Sequence, residues 1–277
     1  MGMSAPKTLL DAVKHFAVFD NCKEFMVSRR WPNGVTCPTC GSESVYWDSS
    51  RKGWECKTRH ERRKFTLKTG TIFEDSPIGL DKWLPVVWMI ANAKNGISSH
   101  EVARAIGVTQ KTAWFMLQRI RLAMQDSSDG GKLGGEVEVD ETYIGGKARN
   151  MHASKREAMR MGRRTVRGKI AVMGLLERNG EGASRVKTAI VPNVRKHRLM
   201  TEVMDRVEEG SAVYTDALKS YSDLGLMYQH QVVDHAETYV DGQVHTNGLE
   251  SFWSLLKRGI KGTYMAIERF HLFRYLD

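Results

Sequence analysis

Residues 135–146 read Gly-Glu-Val-Glu-Val-Asp-Glu-Thr-Tyr-Ile-Gly-Gly. Acidic and apolar side chains alternate from Glu136 to Asp140, the period of a strand with one face in a core. Val137 and Val139 point to one side of that strand, Glu138 and Asp140 to the other. A carboxylate there is costly to desolvate unless it meets a metal ion or a cationic partner. The stretch therefore predicts a central strand and a candidate site together.

Downstream the pattern stays α/β. KIAVMGLLERNG (169–180) and SRVKTAIV (184–191) read as two more strands. RKHRLMTEVMDRVEEG (195–210) reads as a helix, and SAVYTDA (211–217) as a buried strand that ends in an acid, Asp216. ALKSYSDLG (217–225) reads as a helix, LMYQHQVV (226–233) holds a short strand, and TNGLESFWSLLKRGI (246–260) is the final helix. Three strands, helix, strand, helix, strand, helix predicts an α/β domain over 134–277, a ribonuclease-H-like mixed sheet flanked by helices.

Upstream, DSSDGGKLGG (126–135) is a linker by composition. Residues 80–125 read as helices. Within them Ile97–Trp114 has helix-turn-helix form, with Val102, Ala103 and Ile106 buried, Gly107 turning, and Thr109 capping the second helix. Gln110, Lys111 and Thr112 then stand at the N-terminal end that touches base edges in such motifs, with Arg119 and Arg121 adding charge nearby. Residues 31–74 are short, aromatic and Gly-punctuated, a small β module. Residues 1–30 form an amphipathic helical segment with Leu9, Leu10, Val13, Phe16 and Phe25 as its apolar set.

The cysteines are Cys22, Cys37, Cys40 and Cys56. Cys37-Pro-Thr-Cys40 chelates through two thiolates, and Cys56 with His60 supplies a second pair, so Zn2+ in a Cys3His ribbon is the reading. A ribbon that folds without metal is the alternative. A shell including Cys22 is another, but Cys22 sits on the first helix and reads as a buried apolar-like residue.

In 277 residues, 42 Lys and Arg face 32 Asp and Glu, a formal charge of +10, which favours a polyanionic partner. No apolar run is long enough to span a membrane, and the N-terminus fits neither a signal peptide nor a myristoylation site. The expected location is cytoplasmic, at the nucleoid. Residues 147–169 follow the first acidic strand and carry nine Lys or Arg, Arg163 and Arg164 among them, against one acid, Glu157. This insertion predicts an arm that grips DNA backbone.

Asp140 and Asp216 on strands and Glu250 on the final helix can converge on a pair of Mg2+ ions, for which carboxylate oxygens are suited ligands. Lys257 lies two helical turns beyond Glu250 on the same face.

Several stretches together carry a family resemblance: Cys37–Cys40, Phe65–Phe73 (FTLKTGTIF), Val139–Gly146, Tyr214-Thr-Asp216 and His245–Gly259. They resemble bacterial insertion-sequence DDE transposases with an N-terminal zinc ribbon, the ISXO-like group, over nearly the whole chain. The resemblance implies a ribonuclease-H-like catalytic fold, recognition of element-end inverted repeats and target DNA, and dependence on Mg2+, with Mn2+ as a substitute. Asp140, Asp216 and Glu250 match the family's three acids, and the separation of the last two is typical. Lys257 matches a phosphate-contacting basic residue. Some relatives use Asn as the third member, which marks Asn247 as a rival or helper to Glu250, and His245 would orient phosphate or a carboxylate. Joining two element ends implies a homodimer or larger assembly on DNA.

Two departures stand out. His60 replaces the cysteine usual at the fourth zinc position. The segment His271–Asp277 continues in relatives, so a missing helix would leave apolar surface bare. A truncated or domesticated relative that binds DNA without cutting is therefore one alternative, and a zinc-ribbon, helix-turn-helix regulator another. The acid trio argues against the regulator.

Overall fold

The computed structural model describes residues 6–125, 131–145, 169–178, 184–216, 219–233, 245–264 and 267–276, with Ala153 and Glu157. The chain divides into two compact units, Met1–Ala123 and Met124–Asp277.

The first unit begins with α1 (Leu9–Phe16) and α2 (Phe19–Arg30). The sequence reads as one helix here; the structure breaks it at Val18, which is extended. Side chains across the break satisfy the carbonyl groups that α1 leaves open. Asn21 donates to the His15 carbonyl at 2.8 Å, and Cys22 Sγ donates to that of Phe16 at 3.1 Å. Cys22 is buried, and burial pushes its thiol up to about 11, the behaviour of an apolar core residue.

Three short antiparallel strands follow: β1 (Val45–Asp48), β2 (Gly53–Cys56) and β3 (Lys64–Phe65), in that order across the sheet. Trp47 pairs with Trp54, and Trp54 with Phe65, so all three rings fall on one face. Trp54 and Phe65 stack with centroids 5.8 Å apart. Helices α3 (Leu80–Asn92), α4 (Ser99–Ile106) and α5 (Gln110–Met124) complete the unit. One continuous core holds Phe16 of α1, Trp54 and Phe65 of the sheet, Trp83 of α3, Val102 of α4 and Met116 of α5. The segments that read as separate modules thus share their buried surface.

The α4–α5 corner is built by local chemistry. Ser98 Oγ accepts from the Glu101 N–H and caps α4. Gly107 then turns the chain at φ +63, a left-handed conformation that glycine takes without a Cβ penalty. Thr109 Oγ1 accepts from the Thr112 N–H at 3.2 Å.

The second unit is a five-stranded mixed sheet. Its strands are β4 (Glu136–Ile144), β5 (Ile170–Glu177), β6 (Arg185–Val191), β7 (Ala212–Asp216) and β8 (Gln229–Val233), in the spatial order β6-β5-β4-β7-β8. The β6-β5-β4 pairs are antiparallel and the β4-β7-β8 pairs parallel. Helix α6 (Lys196–Arg206) packs Leu199 and Val203 with Val137, Val139 and Val213. Helix α7 (Asn247–Gly259) packs Leu249 and Trp253 with Val172 and Leu176. The segment that reads as a helix after Asp216 forms instead two single turns of tighter helix, Lys219–Tyr221 and Leu224–Leu226, with Ser222 and Asp223 between them. No helix among the described residues is long and apolar enough to cross a membrane.

Candidate active site and zinc centre

Ligand atoms of Cys37, Cys40, Cys56 and His60 all lie within 4.8 Å of one another. Cys56 closes β2, and Cys37 and Cys40 flank a turn in which the Gly41 N–H donates to the Cys37 carbonyl at 2.8 Å. Zn–S bonds near 2.3 Å and Zn–N bonds near 2.0 Å put tetrahedral ligand atoms about 3.8 Å apart for two sulfurs and about 3.5 Å for sulfur and nitrogen. The observed separations are 3.7 Å for Cys40 Sγ to Cys56 Sγ and 3.4 Å for Cys37 Sγ to His60 Nε2. His60 Nε2 faces the thiols, and the other ring nitrogen, Nδ1, is buried without a hydrogen-bond partner among the described residues. Burial pushes the Cys56 thiol up, but hydrogen bonds from His60, Thr58 and Cys40 outweigh it and bring the thiol down to about 6. The four residues fit a structural zinc ion, and Cys22 lies outside the set.

In the second unit the alternation along β4 separates two roles. Val137 and Val139 face α6; Glu138 and Asp140 face α7. Asp140 Oδ2 accepts from the Trp253 indole N–H at 3.0 Å, and Oδ1 from the Glu141 N–H at 2.8 Å. Burial pushes Asp140 up to about 6, and the charges of Asp216, at the end of β7, and Glu250, in the first turn of α7, push the same way. Glu141 is raised further, to about 8, by burial and by Asp216 and Asp140. The Tyr221 hydroxyl donates to Glu141 Oε1. Asp140 and Glu141, each raised by burial and by neighbouring carboxylates, mark a site that a cation would relieve.

Trp253 reaches Asp140 because β5 yields space. Gly174 is paired with Asp140, and a Cβ there would stand 2.6 Å from Trp253 Cζ2 and 2.9 Å from Leu249 Cδ2. Gly174→Ala should push α7 off the sheet and cost about 1–3 kcal/mol. Chemical denaturation measures this; unchanged stability would show that α7 can shift freely.

Glu138 fixes the start of α7. It is 1% exposed, accepts the Leu249 N–H at 2.9 Å through Oε2, and accepts Arg178 Nε at 2.7 Å through Oε1. A carboxylate at a helix N-terminus is favoured by hydrogen bonding and by the helix dipole. Arg178 also contacts Glu136 at 3.2 Å, donates to the His245 carbonyl at 2.6 Å and lies over the Tyr214 ring. His245 Nδ1 stands 2.7 Å from Arg178, so the ring accepts there and serves this network. Glu138→Ala would remove a buried partner from Arg178, which keeps Glu136 and the His245 carbonyl, and would leave the Leu249 N–H without its acceptor. It should cost about 1–3 kcal/mol in unfolding free energy. A loss below 1 kcal/mol would mean that the network adds little.

The remaining candidates are placed unevenly. Asn247 is exposed in the first turn of α7, one turn before Glu250, which is also exposed; Lys257 is half-buried in the last turn. Lys111 is exposed at the start of α5, whereas Gln110 Nε2 donates to Ser99 Oγ at 2.8 Å and the Thr112 hydroxyl meets that of Thr109 at 2.8 Å. Arg119 and Arg121 need correction. Arg119 donates to the carbonyls of Ile72 (2.9 Å) and Glu74 (2.8 Å), and Arg121 is buried, so both serve the fold and neither adds surface charge. Arg163 and Arg164, and nearly all of the insertion 147–169, lie outside the described residues.

The ISXO2-like transposase domain matches residues 132–277, the whole acidic sheet and its helices. The chain belongs to the ISXO2-like transposase family. The transposase zinc-ribbon domain matches residues 20–58, which include three of the four zinc ligands and stop two residues short of His60. A protein described as an uncharacterized protein in transposable element ISH50, from Halobacterium salinarum, is 32% identical over 257 residues, 89% of this chain and 84% of its own length. An uncharacterized transposase-like protein of Haemophilus influenzae is 30% identical over 93 residues, 33% of this chain and 75% of its own. A zinc ribbon followed by a transposase domain with a mixed sheet is therefore the organisation of this ISXO2-like chain, and family membership implies DNA as its partner.

Proposed function

We propose that this chain is a DNA transposase that binds the inverted repeats at its element's ends and catalyses strand cleavage and strand transfer. The observation that carries the reading is that β4 and β7 pair in parallel with Val139 opposite Thr215, so that Asp140 and Asp216 follow on neighbouring strands, while α7, which bears Glu250, bonds Asp140 through Trp253. The strand order β6-β5-β4-β7-β8, with three antiparallel strands and two parallel ones, supports a ribonuclease-H-like domain from 134 onward.

Asp140, Asp216 and Glu250 would hold two Mg2+ ions, and Glu141 would lend further negative charge once a bound cation lowers its raised pKa. When bound, the ions supply Lewis-acid stabilisation of the scissile phosphate and lower the pKa of the attacking water or 3′-hydroxyl. Trp253 holds Asp140 in one rotamer, and the Glu138–Arg178 network fixes the first turn of α7, so Glu250 is presented on a rigid element. Asn247 stands ready beside Glu250, and Lys257 would meet DNA phosphate. His245 acts through Arg178. The α4–α5 corner is read as a helix-turn-helix within 80–125, with Lys111 the most open of its end residues and Gln110 and Thr112 able to reach bases by giving up their side-chain bonds to Ser99 and Thr109. The basic insertion, Arg163 and Arg164 included, would grip backbone. Two element ends call for at least a dimer.

The test is Mg2+-dependent nicking of a duplex that carries the element's terminal repeat. A chain that binds this duplex but never cuts it under any divalent ion sinks the catalytic reading and leaves only a DNA-binding relative.

A further inference from the structure

The zinc ribbon carries a charge pattern that the acid site does not use. Between Arg51 and Lys64 stand seven basic residues, and the structure sorts them. Arg51 pairs with Asp48 at 3.6 Å, and Lys52 lies over the Phe19 ring. Arg63 donates to the Cys56 carbonyl at 2.9 Å and pairs with Glu55 at 3.2 Å. These three are engaged within the first unit. Lys57, Arg59 and Arg62 are exposed and make no ion pair among the described residues. Lys64 is exposed too, opposite Glu55, whose carboxylate is already shared by Arg63 and the Tyr46 hydroxyl.

The loop that bears them is held in shape. At one end the Lys57 N–H donates to the Ser44 carbonyl at 2.9 Å, and the Cys56 N–H donates to that of Arg63 at 2.8 Å. In the middle His60 belongs to the zinc cluster. A loop pinned at both ends and at its centre presents its side chains with little ordering cost on binding. A surface kept only for solubility carries both signs interspersed. Here the sole acid of 57–64 is Glu61.

We infer that the zinc-pinned loop 57–64 is a second DNA contact, which grips the phosphate backbone through Lys57, Arg59 and Arg62 without reading sequence. It rests on the reading of DNA as partner and adds a surface whose residues belong neither to α5 nor to the acid cluster. Phosphate contacts position a protein on the duplex, whereas base contacts specify the site. The loop should therefore set affinity and its salt dependence, and α5 the preference for one sequence.

The test uses the full chain with zinc bound and a fluorescein-labelled duplex of arbitrary sequence, with Kd followed by anisotropy over a KCl series. Each phosphate contact contributes about 0.9 to the slope of log K against log salt, so Lys57→Gln/Arg59→Gln/Arg62→Gln should flatten it by about 2.7. The loss should be equal on a duplex carrying the terminal repeat, and Arg59→Lys/Arg62→Lys should retain the wild-type slope. If the triple variant loses its zinc, Arg59→Gln and Arg62→Gln are measured singly, each with an expected change of about 0.9. An unchanged slope in zinc-loaded variants overturns the inference and leaves the catalytic reading untouched. A wild-type chain that binds no duplex overturns both, and failure to cut with the loop effect intact counts against catalysis alone.

Discussion

Stripping zinc from this protein, or replacing Cys56 with Ser, should unfold the ribbon and much of the unit Met1–Ala123. The ribbon's own sheet is too small to stand alone: β3 has two residues, and β1 and β2 four each. Structural zinc contributes on the order of 10 kcal/mol to such folds, as much as the whole stability of a typical domain. Cys37 and Cys56 are buried in the same continuous core as Trp54, Phe65, Trp83 and Met116. Loss of the ion therefore opens a core that reaches from α1 to α5. Calorimetry with and without a strong chelator checks this. The expected result is loss of one unfolding transition, with the transition of Met124–Asp277 retained, because that unit holds none of the four ligands. A chelated, zinc-free chain that unfolds as before would show that the ribbon is held by apolar packing alone.

The ribbon was readable in sequence because chelation needs few residues at short spacing: Cys37 with Cys40, and Cys56 with His60. The acid strand was readable because a period of two survives in any context, so Val137 and Val139 announce the core face and Asp140 the opposite one. What periodicity could not supply was the partner of each buried acid. Glu138 shares the face of Asp140, but Arg178 lies 40 residues further along the chain and meets it only through the β4–β5 pairing. Nothing in the sequence sets Gly174 apart from any other strand glycine; its role depends on Trp253 and Leu249 of α7 lying against it. Arg119 and Arg121 misled for a related reason. A basic residue near a DNA-reading helix suggests surface charge, yet here two backbone carbonyls in the preceding segment capture Arg119. The region after Asp216 read as a helix from composition, and its two short turns follow from a local break at Ser222 and Asp223 that periodicity does not weigh.

Asp140→Asn should separate folding from catalysis, since the two respond in opposite directions. The amide keeps the volume of the side chain and, with its oxygen turned to the Trp253 indole N–H, keeps the contact of α7 with the sheet, at the cost of the acceptor for the Glu141 N–H. It removes one negative charge from a cluster in which burial, Asp216 and Glu250 all press the Asp140 carboxylate toward its neutral form. Without metal, the variant should therefore be as stable as the wild type or more so, by on the order of 1–2 kcal/mol at neutral pH. The sign is that of a raised carboxyl pKa: the charged form costs stability at pH values above it, and the amide carries no such cost. Cleavage should move the other way. A lost carboxylate ligand weakens metal-based stabilisation worth several kcal/mol, so the rate on an element-end duplex should fall by about three orders of magnitude or more. Melting curves and cleavage rates from one preparation decide the matter. Lower stability together with lost cleavage would make Asp140 a structural residue, and cleavage that persists would place the reacting metal elsewhere. A stable chain that binds DNA and no longer cuts is the pattern expected of an acid kept in place, against its own electrostatic cost, for the metal.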